Sequence, residues 1–176
     1  MGKGYWDPEG YWDDVFKSLS EADQRRVAEL TERLRLAGAR DPREWALSEV
    51  HEGIAQSARF LFLCGVWRRM HLYADAALSG ELAGKLQRDG AGEDDLREFV
   101  QVALGHLAFD LLYFLDEPAG RTWPTQPERD VAADDRRWRL SEVEPDGRLT
   151  GRDVGGLHES WRDTDPAGNE GVGWLG

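Results

Sequence analysis

Val27, Leu30, Thr31 and Leu34 recur three or four positions apart, the spacing of one helical face. Ser20-Glu21-Ala22-Asp23 precedes them, with Ser20 placed as N-cap and the two acids where the helix dipole favours negative charge. Gly38 marks the stop. Asp41-Pro42-Arg43-Glu44 opens a second helix with Asp as cap, Pro at the first helical position and Glu at the third. No proline then interrupts the pattern before Pro118.

At about 100° per residue, Leu47, Val50, Ile54, Ala58 and Leu61 share one face of this second helix. Leu63, Trp67, Met70, Ala74 and Ala77 share nearly the opposite one. The apolar face therefore turns by about half a revolution near Gly65, and the pattern predicts a helix over 42–78 that either breaks there or packs against different neighbours at its two ends. A short helix is expected over 81–88. A third long one is expected over about 93–115, acidic at its start and apolar almost all round beyond Val102, as a central element would be.

From Pro118 onward the chain holds five of its seven prolines and only short signals. Residues 138–143 (WRLSEV) predict a strand, Pro145-Asp146-Gly147 a turn, and 148–150 its return. Asp153 is placed to cap a last short helix through Trp161. Trp123, Trp138, Trp161 and Trp174 lie in this region, and tryptophans are rare in disordered segments, so the tail is expected to wrap on the helices. At the other end, Gly4-Tyr5-Trp6-Asp7 returns as Gly10-Tyr11-Trp12-Asp13. This repeat is too short for a solenoid unit and is expected to clamp onto the protein's own core.

The fold expected is thus mainly α: a compact bundle of three to four helices with aromatic-rich irregular termini packed on it and a small hairpin near 138–150. Residues 1–118 would form the helical core with its aromatic arm, and 119–176 an extension packed on that core, giving a single domain overall.

With 176 residues, 40 % hydrophobic and 32 % charged, the chain can bury a real core. The lone cysteine, Cys64, sits in an apolar run. It can form no internal disulfide and offers no thiolate cluster to zinc, as expected of a protein in a reducing cytosol. The N-terminus lacks the apolar stretch of a signal peptide, and the apolar runs at 54–67 and 102–115 read as too short for a bilayer, so a soluble cytoplasmic protein is expected. Net charge is −12. That field disfavours nucleic acid and anionic membranes and speeds association with a basic partner. Only Lys3, Lys17 and Lys85 among the 22 cations are lysines, a bias of genomic composition and expected of a bacterial source.

Complete catalytic motifs are not found. His51-Glu52 lacks the second histidine of H-E-x-x-H, because residue 55 is alanine. Asp163-Thr164-Asp165-Pro166-Ala167-Gly168 begins like a calcium loop but places Ala167 and Trp174 where oxygen ligands are needed, so a capped turn is expected. His71 and Asp75 fall on a polar face with Arg68, a solvated cluster. His158 has no evident partner. His106 and Asp110, four apart, share a face with Phe99, Ala103 and Tyr113, opposite the polar side of their helix. They are expected to be buried as a structural pair or, with His51 as third member, as half of a proton-transfer or metal site.

The function expected first is binding of another protein, with an inhibitor or immunity-type protein against a basic partner as its concrete form. The strong negative charge and the aromatic segments motivate it, and Trp6, Trp12, Trp161 and Trp174 are the candidate partner-binding residues. A homodimer is compatible with the same features. The rival is a helical enzyme or small-ligand binder built on His106, Asp110 and His51. No cofactor and no resident metal are expected.

Overall fold

In the computed structural model, which describes residues 10–116 and 139–174, seven α-helices and one two-stranded antiparallel sheet are formed. They fall into two units, Met1–Leu61 with Ser141–Val154 and Phe62–Leu140 with Gly155–Gly176. The chain is mainly helical, as its periodicity predicts. Part of the N-terminal arm read as irregular is helical too, and the hairpin falls in one unit with the N-terminal helices.

In the first unit, α1 (Tyr11–Ser18) turns Val15 inward and docks on α3 (Pro42–Glu52). Arg43 reaches Asp13 at 2.8 Å and lies over the Phe16 ring. The Ser20 hydroxyl accepts the Asp23 N–H at the start of α2 (Glu21–Leu36), and Val27, Leu30 and Leu34 are buried on its inner face. Trp45 of α3 meets Phe60 edge to face, with ring centroids 5.4 Å apart.

The helix expected over 42–78 is two helices, and it divides at 53–55 rather than at Gly65. Gly53 ends α3 in the left-handed conformation, φ 73°, where a side chain would be strained. Glu49 then starts α4 (Gln56–Leu78), its carboxylate accepting the Ser57 N–H at 2.8 Å. Gly65 lies inside unbroken helix. The half-turn rotation of the apolar face is the change of phase between two helices, and within α4 one stripe, Phe60, Leu63, Trp67, Met70 and Ala74, is buried throughout. Leu61, expected on the inner face, is exposed.

Glu49 is buried and serves a second purpose. Arg152 donates to it at 2.8 Å and to Glu142 at 2.7 Å, so one guanidinium ties α3 to the hairpin of β1 (Ser141–Val143) and β2 (Leu149–Asp153). The strands pair Ser141 with Asp153 and Val143 with Leu149. Pro145-Asp146-Gly147 makes the expected turn, closed by the Gly147 N–H on the Glu144 carbonyl at 2.8 Å. Burial alone would push the Glu49 carboxyl up. Hydrogen bonds from Ser57 and Arg152 outweigh it and hold the group below the ordinary carboxylate value. The Arg152 guanidinium is shifted upward, its carboxylate partners outweighing its own desolvation.

The second unit contains the remainder of α4, α5 (Glu81–Arg88), α6 (Glu93–Asp116), α7 (Leu157–Ser160) and a 3-10 turn at Arg162–Thr164. Its core is aromatic. Trp161 stacks on Trp67 with centroids 4.5 Å apart and planes 8° from parallel, and the Trp67 indole N–H donates to the Trp161 carbonyl at 3.0 Å. Trp174 closes edge-on against Trp67 at 5.7 Å. Between these tryptophans the chain turns about Asp165, buried, whose carboxylate accepts the N–H groups of Ala167, Asn169 and Gly171. The expected capped turn is what the failed calcium motif encodes.

On the other side, α6 turns Gly105, Ala108 and Leu112 inward. A methyl group at Gly105 would lie 1.5 Å from the Trp174 carbonyl oxygen, so only glycine lets this backbone approach the helix. By length and composition α6 could also cross a bilayer, contrary to the reading of 102–115 as too short, and only 17 % of its apolar window is buried.

Two outcomes follow from this architecture. At an ordinary helix position, Gly→Ala gains about 1 kcal/mol. Gly65→Ala, where a methyl would meet only the tip of Arg69 at 3.4 Å, should therefore raise the thermal midpoint. Gly105→Ala should lower it, overpacking costing on the order of 1–3 kcal/mol of stability, and paired thermal melts decide the opposite signs. For Glu49, a folded carboxyl held low contributes stability that is complete above its ordinary value of 4.5 and lost as pH falls through the lower folded value. Glu49→Gln should accordingly lose more stability at neutral pH than in acid, read as urea midpoints across the acid range.

Candidate functional site

His106 and Asp110 are exposed rather than buried. They do share the face of Phe99 and Ala103, but that face looks outward. The physical reason is that α6 is apolar nearly all round, and its small-residue side, Gly105 and Ala108, is the one that admits the C-terminal backbone. His51 is exposed near the end of α3, in the first unit. Among the described residues no three or more His, Cys, Asp or Glu side chains are grouped to hold a metal ion. Cys64 is half-buried, with burial pushing its thiol up, the setting of a packed rather than a reactive cysteine.

The aromatic candidates divide. Trp161 and Trp174 are 0 % and 5 % exposed, their rings engaged with Trp67, so they form core and are not presented to a partner. Trp12 is half-buried on α1, beside an exposed Tyr11. Trp6 lies outside the described residues, as does the first half of the aromatic repeat. His71, placed by sequence on a solvated face, is half-buried and packs edge-on against Trp174 at 4.9 Å.

The structure assembles a pair that the sequence did not. Asp116, at the end of α6, accepts the His158 backbone N–H at 2.9 Å and lies 2.6 Å from His158 Nδ1 through the same oxygen. Tyr113 and Phe109 flank the imidazole at 4.8 and 6.1 Å between centroids. A carboxylate on Nδ1 orients an imidazole so that Nε2 could serve as base or ligand. Its companion contact, however, is that of a cap. Gly156 precedes α7 without a side-chain acceptor, and Asp116 supplies one from another helix where Asp153 was expected to act. Forty-two residues separate the two groups, and helical spacing carries no signal over that distance.

The largest chemical feature left is apolar. Along the outward side of α6, Phe99 is 72 %, Leu107 55 %, Leu111 53 % and Phe114 47 % exposed. Lone exposed hydrophobes are ordinary, but four large ones on one helical face are not. Glu93, Asp94, Asp95 and Glu98 crowd the first two turns of the same helix, and the Arg97 among them is paired with Glu93 at 3.2 Å. Leu72 and Tyr73 of α4 and Leu82 of α5 are exposed as well.

No protein family, curated protein or solved structure matches this chain. Its function is therefore read from its own residues.

For the pair at the end of α6, Asp116→Ala should cost about 1 kcal/mol by removing the acceptor for a part-buried N–H, while Asp116→Asn, which keeps a carbonyl there, should recover much of it. Urea unfolding of both variants checks this.

Proposed function

We propose that this protein acts by binding another protein, through the outward face of α6. The observation that carries the reading is the exposure of Phe99, Leu107, Leu111 and Phe114 on one side of a 24-residue helix whose opposite side is anchored by the Trp174 backbone. Burying such side chains against a partner recovers roughly 1.5–3 kcal/mol each. The net charge of −12 favours a basic partner, and a cytoplasmic inhibitor or immunity-type protein of a bacterium is the concrete form this takes.

A membrane is the poorer destination for the same face. His106 and Asp110 lie midway along it, and an aspartate at the bilayer centre costs roughly 2.5–3.5 kcal/mol even on the most lenient scale. The acidic field also repels anionic headgroups. The small-ligand reading loses its premise, because the His106–Asp110 pair it requires is not enclosed.

A photo-crosslinking residue at Leu107 should yield one discrete protein adduct in the cells that make this protein. The same residue at Leu36, also exposed but remote in sequence on α2, should not, and Leu111→Glu should erase the Leu107 adduct. Equal adducts from both positions, or none at Leu107, would reject the reading.

A further inference from the structure

Resting on that reading, we infer that the outward face of α6 takes a basic amphipathic helix of the partner protein, laid along the ridge formed by Phe99, Ala103, Leu107 and Leu111. These residues are spaced four apart, and such rows are the ridges that interdigitate when two helices pack. The exposed apolar run from Phe99 to Phe114 extends about 22 Å, at about 1.5 Å per residue, which matches some four turns of a partner helix. Ala103 makes a dip between Phe99 and Leu107, a hole for one large apolar side chain. An incoming strand would find no sheet edge here to extend, since the described sheet is the hairpin of the other unit. A helix brings its backbone already satisfied and needs only an apolar stripe.

Charge decides between a foreign helix and a second copy. Within α6, Glu93, Asp94, Asp95, Glu98 and Asp110 stand against Arg97 alone, a net of −4 with His106 counted neutral and Asp116 left out because His158 engages it. Two copies packed in parallel would set acidic first turn against acidic first turn. Packed antiparallel, they would set that turn against a C-terminus that already carries the negative end of the dipole. Each molecule as a whole carries −12 besides. A helix with lysine or arginine flanking its apolar stripe meets the opposite sign in the acidic first turns and at Asp110, and Arg97 is already engaged by Glu93.

The probe is a synthetic helix of about 18 residues, leucine at i, i+3, i+4 and i+7 with lysine elsewhere, fluorescently labelled and titrated with the whole protein by anisotropy. It should bind, and Leu107→Glu with Leu111→Glu should weaken it at least about tenfold. Leu107→Ser with Leu111→Ser, checked for an unchanged melting curve, should do the same without added charge. Neutralising Glu93, Asp95 and Asp110 as Gln, Asn and Asn should slow association several-fold and flatten its dependence on salt. A peptide of identical composition scrambled out of amphipathic order should bind about tenfold more weakly, and one with glutamate for lysine should not bind. Equal binding of the scrambled or acidic peptide overturns the proposal, as does indifference to the Leu107 and Leu111 substitutions. So does a concentration-dependent dimer, or binding to phosphatidylcholine–phosphatidylglycerol vesicles, that those substitutions abolish. If the peptide fails while the Leu107 adduct persists in cells, the helix proposal falls and the protein-binding reading stands.

Discussion

The stacking of Trp161 on Trp67 is the interaction on which the second unit depends. It joins residues 94 apart in sequence, and the indole N–H of one ring is satisfied by the backbone carbonyl of the other residue. A buried indole needs a partner for that N–H, and drawing it from Trp161 fixes the C-terminal chain in position as well as the rings. Once Trp161 is placed, Thr164 bonds back to the same carbonyl, Asp165 gathers three N–H groups, and the loop returns Trp174 to the edge of Trp67. The C-terminal segment is therefore core, inserted between α4 and α6, rather than a covering laid over a finished bundle.

Most of the helices were legible because their boundaries are written in local chemistry. Ser20, the Asp41-Pro42 step and the acidic start of α6 all mark ends that the structure keeps. The turn at Pro145-Asp146-Gly147 and the Asp165 loop were legible for the same reason. The break after Glu52 was not. Gly53 and Gly65 look alike to periodicity, and what distinguishes them is the reach of Glu49 to the Ser57 N–H, an interaction visible only once the chain has turned. The candidate site fared worse. Pattern correctly put His106, Asp110 and Phe99 on one face of α6, but a helix with two apolar faces does not announce which one is inward.

That choice follows from steric fit rather than from hydrophobicity. The face bearing Phe99, Leu107, Leu111 and Phe114 would bury more apolar area than the one bearing Gly105, Ala108 and Leu112. Yet the inward surface must meet a backbone, that of Trp174, at a distance no side chain allows. Close approach along the glycine side gains dense packing that a row of large side chains would hold apart.

The cost of that arrangement is the exposed row of large side chains, which contributes nothing to this core. Their presence, on a helix whose first turns are strongly acidic, combines two properties that oppose each other in an isolated molecule and would cooperate in a complex. Apolar area provides affinity when it is covered, and like charge keeps copies of the same surface apart until it is. Asp110 within the stripe would act in the same direction, penalising any covering that cannot offer it a polar partner. On the protein-binding function proposed above, such a surface would be selective as well as adhesive, and its selectivity would be for opposite charge.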